Sequence, residues 1–178
     1  DTVASDTTQA KKRDAGIEAP IDFVAKDSMV YDAKTGLAFL FGEAEVKYQN
    51  MQLTAAQIAM NMDSSTVKAD GRVDTTGTMH GKPLFKQGGE EYDSQSMAFN
   101  FKTKKGFIQN TYTAQGNGFM QSTRSKRTDD GIVYLEKAKY TTCDAEHPHF
   151  YLAVSRAKMR PGKDVVFGPA HLVVEDVP

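Results

Sequence analysis

Apolar and polar residues alternate in short stretches from Phe23 onward, and no helix-period stripe of useful length occurs anywhere in the chain. The clearest stretch runs from Ala38 to Tyr48. Ala38, Leu40, Gly42, Ala44, Val46 and Tyr48 share one parity, and Glu43, Glu45 and Lys47 share the other. A period of two puts the first set on one face of a strand and the second in water. Leu37, Phe39 and Phe41 fall on the polar parity. Either that half of the strand is covered on both faces, or Gly42 marks a bulge that changes the facing. The pattern predicts an all-β chain.

A unit of apolar strand, polar turn and second strand recurs at Ser28–Phe39, Ile58–Gly71 and Met97–Ile108. Asp and Ser at 32–36 and 63–66 bond the local backbone and favour reversal, and Gly36 and Gly106 are expected to supply positive φ. Units of this size cannot bury a face alone and must stack on their neighbours; an ordinary sandwich of hairpins shares the same spacing. Pro and Gly between His80 and Glu90 predict a loop, Ser122–Gly131 predicts an exposed turn, and strands resume from Ile132 to Val177 with breaks near Pro148 and Pro161. Residues 1–20 are polar and predict a flexible leader, leaving 21–178 as one domain.

Composition narrows the function. At 178 residues with net charge −1, the chain lacks the basic excess of a nucleic-acid binder, and no apolar run reaches the ~20 residues of a membrane-spanning helix. It has no nucleophile elbow, phosphate loop or His-Glu-x-x-His pair, so the reading is non-enzymatic, with no cofactor and no metal. Cys143, Asp144, Glu146, His147 and His149 are ligand types for zinc, but all lie within seven residues, whereas structural zinc sites join two separated pairs. Lone Cys143 has no internal partner and is the disulfide candidate. Lys102, Lys104, Lys105, Arg124, Lys126 and Arg127 read as solvated turns or as contacts to an anionic lipid headgroup.

The hairpin units with Ala69-Asp-Gly71, the segment Tyr140-Thr-Thr-Cys143, and Arg160-Pro-Gly-Lys-Asp-Val-Val-Phe-Gly-Pro-Ala-His-Leu172 occur in that order. Together they resemble the OstA-like, LptA-like domains of the lipopolysaccharide-assembly proteins, the periplasmic part of LptD among them. The likeness runs from about Phe23 to Pro178. It implies an all-β, V-shaped, antiparallel open β-jelly roll built from repeats, in the periplasm or on the periplasmic side of the outer membrane. It also implies lipopolysaccharide as cargo, with lipid A acyl chains in an apolar groove. The implied partners are an LptA-like bridge protein joined by edge-strand addition, and an outer-membrane barrel with its plug lipoprotein. Cys143 would then pair with a cysteine of that barrel; the family's further cysteine near the mature N-terminus has no counterpart in Asp1–Pro20.

Inward parity within the hairpins assigns Leu40, Val46, Met60, Met62, Phe99 and Phe101 to the groove. Phe39 and Phe41 compete for the same role. A strand around Phe23–Tyr31 is expected to be an open edge that accepts a partner. Two other readings remain: a β-solenoid scaffold that polymerises without carrying lipid, and a lipid-processing enzyme, which the missing catalytic constellation disfavours.

Overall fold

The computed structural model describes residues 20–145, 147–175 and 177; the leader expected at 1–20 falls, apart from Pro20, outside them. Sixteen strands and no helix occur among the described residues. They are β1 (Ile21–Val24), β2 (Ser28–Asp32), β3 (Leu37–Tyr48), β4 (Met51–Asn61), β5 (Thr66–Asp70), β6 (Arg72–Val73), β7 (Met79–His80) and β8 (Leu84–Gln87). There follow β9 (Glu90–Asp93), β10 (Ser96–Asn100), β11 (Lys105–Gln115), β12 (Gly118–Arg127), β13 (Val133–Thr141), β14 (Phe150–Arg160), β15 (Asp164–Phe167) and β16 (Ala170–Val174). Fourteen form one sheet, while β6 and β7 make a separate ribbon. Every pairing is antiparallel.

The three repeat units are three hairpins, β2–β3, β4–β5 and β10–β11, turning at 33–36, 62–65 and 101–104. The last residue of each turn is left-handed: Gly36 (φ 65°), Ser65 (55°) and Lys104 (55°). Gly106 is therefore not the positive-φ residue of its hairpin; it lies two positions later, already inside β11. Ala69 and Asp70 likewise finish β5, and only Gly71 lies beyond the strand.

Long strands change partner midway. β3 pairs β2 through its first half and β1 through its last. β4 pairs β8 and then β5, β11 pairs β10 and then β9, and β14 pairs β16 and then β15. Buried positions switch parity at the same place, from Met51, Leu53 and Ala55 to Ile58 and Met60 in β4, and from Val154 to Ala157 and Met159 in β14. Left-handed residues sit at this line in alternate strands: Glu43 (φ 45°), Asn110 (50°) and Lys137 (50°). In β3 the irregularity is a bulge between Phe41 and Ala44. An extra residue bends a strand, and strands that bend in line fold a sheet on itself. The result is two facing layers. The first holds β1, β8, β9 and β16 with the adjoining strand halves; the second holds β2, β5, β10 and β15 with theirs. This is the expected antiparallel β-jelly roll.

At Gly42 (φ 76°) a Cβ would collide with the Asp27 carboxyl, because the chain between β1 and β2 crosses the bulge there. The Lys26 and Asp27 N–H groups donate to the carbonyls of Gly42 and Phe41 at 2.8 and 3.1 Å. The predicted single edge strand over Phe23–Tyr31 is thus two strands, one on each layer. Two further expectations are corrected. Residues 84–93 form the β8–β9 hairpin, with only Gly88 and Gly89 as its turn. β12 continues through the polar stretch to Arg127, because Ser122 and Ser125 face inward and bury their hydroxyls.

Candidate functional site

The layers meet in one continuous apolar cluster that runs from β3 to β14 and includes Leu40, Val46, Tyr48, Met60, Phe85, Phe99, Phe101, Ile108, Met120, Leu135 and Met159. Of the six predicted groove residues, Leu40, Val46, Met60, Phe99 and Phe101 lie here, between 0 and 4 % exposed. Met62 does not: β4 has ended at Asn61, and the turn carries Met62 out to 39 % exposure. Phe39 and Phe41 are half-buried on the opposite, outer face, so the inward parity at 37–41 belongs to Ala38 and Leu40.

Aromatic contacts close the layers on each other. Tyr48 of the first layer meets Phe101 at 5.1 Å, and Phe85 meets Phe99 of the second at 5.6 Å, with Phe99 edge-on to Phe101. Tyr92 also packs on Phe85; its buried phenol, held well above the usual tyrosine range by desolvation and by donating to Glu90 at 2.6 Å, stays neutral. Toward β11–β13 the lining changes to buried hydroxyls: Thr111, Thr113, Ser122, Ser125 and Thr141. Thr111 and Ser125 bond each other at 2.8 Å, and Ser122 donates to the carbonyls of Arg124 and Glu136, so these groups bring no unpaired polarity to the interior. Parity placed Tyr48 on the inward face, but it marked neither this hydroxyl-lined section nor Phe85 and Tyr92.

Other candidates lie outside the layers. Asp144 and His147 border an outer concavity of about 660 Å³ with Lys82, Asp93, Lys137 and Lys139. Cys143 is half-exposed, its Sγ 3.7 Å from His149 Nδ1. Its thiol is lowered from the ordinary value by the Ala145 N–H first and by His149 next, and His149 is raised by Cys143 and Glu175. Glu146 lies outside the described residues. Among the described residues no three metal-ligating side chains converge. Of the basic residues, Lys105, Arg124 and Lys126 point outward from the second layer, Lys102 and Lys104 sit in the 101–104 turn, and Arg127 donates to Gln87 Oε1 at 2.7 Å.

No protein-family model matches the chain. Its sequence is similar to the LPS-assembly protein LptD of Acinetobacter baumannii, 27% identical over 130 residues that cover 68% of this chain and 16% of that relative. Its fold matches the crystal structure of LptH from Pseudomonas aeruginosa, described as the LptA homologous periplasmic component of the lipopolysaccharide transport device. The match has a TM-score of 0.55 at 17% identity and covers 87% of this chain and 99% of that one. The likeness to LptD-type and LptA-type proteins expected from the hairpins and the Cys143 segment therefore holds in sequence and in fold.

Proposed function

We propose that this chain is a non-catalytic lipopolysaccharide-transport domain on the periplasmic side of the outer membrane, whose interlayer space receives lipid A acyl chains. The apolar cluster between the two layers, continuous from β3 to β14 beside a section of paired hydroxyls, is the observation that carries this reading. It is supported by the likeness to LptD and LptH.

The interior is closed as it stands, so loading must part the layers. The magnitudes allow it. An aromatic pair contributes about 0.5–1.5 kcal/mol beyond its buried area. Each acyl CH₂ brought out of water returns about 0.8 kcal/mol, and the parted side chains exchange one apolar neighbour for another. Sugars and phosphates have no place in such a space and stay outside.

Both ends of the sheet are open among the described residues, at β1 and β2 and at β15 and β16. Exposed apolar side chains gather there: Val24, Met29 and Val30 at one end, and Val166, Leu172 and Val174 at the other. Unpaired apolar edges are a liability unless another sheet adds to them. Addition of an LptA-like bridge at the first end, and of an outer-membrane barrel with its plug lipoprotein beyond the second, would join the interiors head to tail.

Photo-crosslinkers at Leu40, Val46, Met60, Phe99 and Phe101 are expected to capture lipopolysaccharide in cells, and those at Glu45 and Lys47 to capture none. Capture confined to Glu45 and Lys47 would contradict the reading. Absence of capture at every position would favour the scaffold reading, which the closed packing between Tyr48, Phe85, Phe99 and Phe101 also suits.

A further inference from the structure

Strand register lays a row of side chains across the outer face of the second layer. Ladder partners run Ala98, Phe107, Lys126, Tyr134, Lys158, Val166, alternating apolar and basic groups after the first pair. The matching row on the first layer, from Leu84 through Asp93, Tyr112 and Gln121 to Lys139, is mixed and includes a carboxylate. Phe107, Tyr134 and Val166 are 42, 44 and 58 % exposed, and Lys158 Nζ stands 5.8 Å from the Tyr134 ring centre.

Three carboxylates of this face are paired with cations, and Asp32 at its β2 edge accepts from its own turn. Asp70 pairs with Lys68 at 3.0 Å, Glu136 with Arg124 at 2.7 Å, and Asp164 with Arg160. Lys105, Lys126, Arg156 and Lys158 form no ion pair with a described carboxylate. Asp129 and Asp130 lie in the turn beyond the strand ends. At the start of the row, Ala98, Phe107 and Lys126 line a shallow cleft of about 420 Å³ together with Lys105, Gly106 and Asn100.

Lysines on an outward sheet face are ordinary when scattered. Exposed aromatics set between them, one of them lining a cleft, are not what a merely solvated face needs. Aromatic rings favour the depth of lipid headgroups, and each basic residue near an anionic leaflet adds about 1 kcal/mol of attraction. We infer that the outer face of the second layer docks on an anionic phospholipid leaflet. Lys105, Lys126, Arg156 and Lys158 meet the phosphates there, while Phe107, Tyr134 and Val166 enter the headgroup layer. The contact is independent of what the interior carries.

Co-sedimentation of the full chain with vesicles tests it. Phosphatidylglycerol-containing vesicles are expected to bind the chain, with binding weakened by salt and absent on pure phosphatidylcholine. Lys126→Gln with Lys158→Gln should lower the partition coefficient about 30-fold. Phe107→Ser with Tyr134→Ser should lower it at unchanged charge, and Lys86→Gln on the first layer should leave it unchanged. Circular dichroism checks each fold, and Lys105→Gln with Arg156→Gln replaces the first pair should that fail to fold. Equal binding to neutral vesicles, wild-type partition in either folded double variant, or an equal loss in Lys86→Gln would overturn the inference. None of these outcomes bears on crosslinking inside the layers.

Discussion

At the scale of single residues, three positions concentrate the consequences. Phe99 touches both Phe85 and Phe101 in the closed interior, so Phe99→Ala should destabilise the fold by about 3–5 kcal/mol in denaturant titration. Gly42 combines a left-handed φ with a Cβ position already occupied by Asp27, and Gly42→Ala should cost about 1–3 kcal/mol by the same measurement. Cys143 has its titration lowered, so thiolate is present below the pH at which an ordinary cysteine ionises; imidazolium at His149 stabilises it. Alkylation near neutral pH should therefore slow in His149→Ala, with the rate profile moving to higher pH; an unchanged profile would leave the thiol independent of His149. The inward parity of Val46, Met60, Phe99 and Phe101 was legible in the alternation, whereas at Leu40 the apolar Phe39 and Phe41 on the opposite parity left two solutions. Met62 was misread because alternation cannot say where a strand stops. Glu43 and Lys137 carry no signal of left-handed backbone, since neither type favours it; Asn110 does.

At the scale of elements, the hairpin units were readable and the bend was not. Asp, Ser and Gly mark the first two turns, while the third, 101–104, carries none of them; and a sheet folded on itself depends on irregularities aligned across strands, which one strand's sequence does not show. The same cause split the expected edge strand into β1 and β2, since the chain must cross the bulge at Gly42 to reach the second layer. β12 escaped notice because its inward residues near the bend are serines, which look like turn residues until their hydroxyls are seen to be paired. The two short strands give a prediction of their own. Proline cannot donate to a ladder, so Val24→Pro or Met29→Pro, whichever has its N–H on the open side, should keep the fold by circular dichroism and lose capture of an LptA-like bridge protein. Undiminished capture by both folded variants would place the junction elsewhere.

At the scale of the whole molecule, two layers close on a core that is apolar from β3 to β14, with the buried hydroxyls near β11–β13 bonded to one another or to backbone carbonyls. Among the described residues open edges lie at both ends, and a basic, aromatic row crosses the outside of one layer. These features fit a carrier set between a bridge and a membrane, in which cargo moves along the interior. The chain has no tryptophan, so one introduced indole reports on its own surroundings without background. The most direct measurement places that indole at Phe99→Trp, with Lys47→Trp as the outward control, and titrates each with lipid A whose acyl chains carry bromine. Entry of acyl chains between the layers predicts strong quenching at position 99 and little at position 47. Quenching at position 47 alone, or at neither position while the lipid still binds, would contradict an interior route.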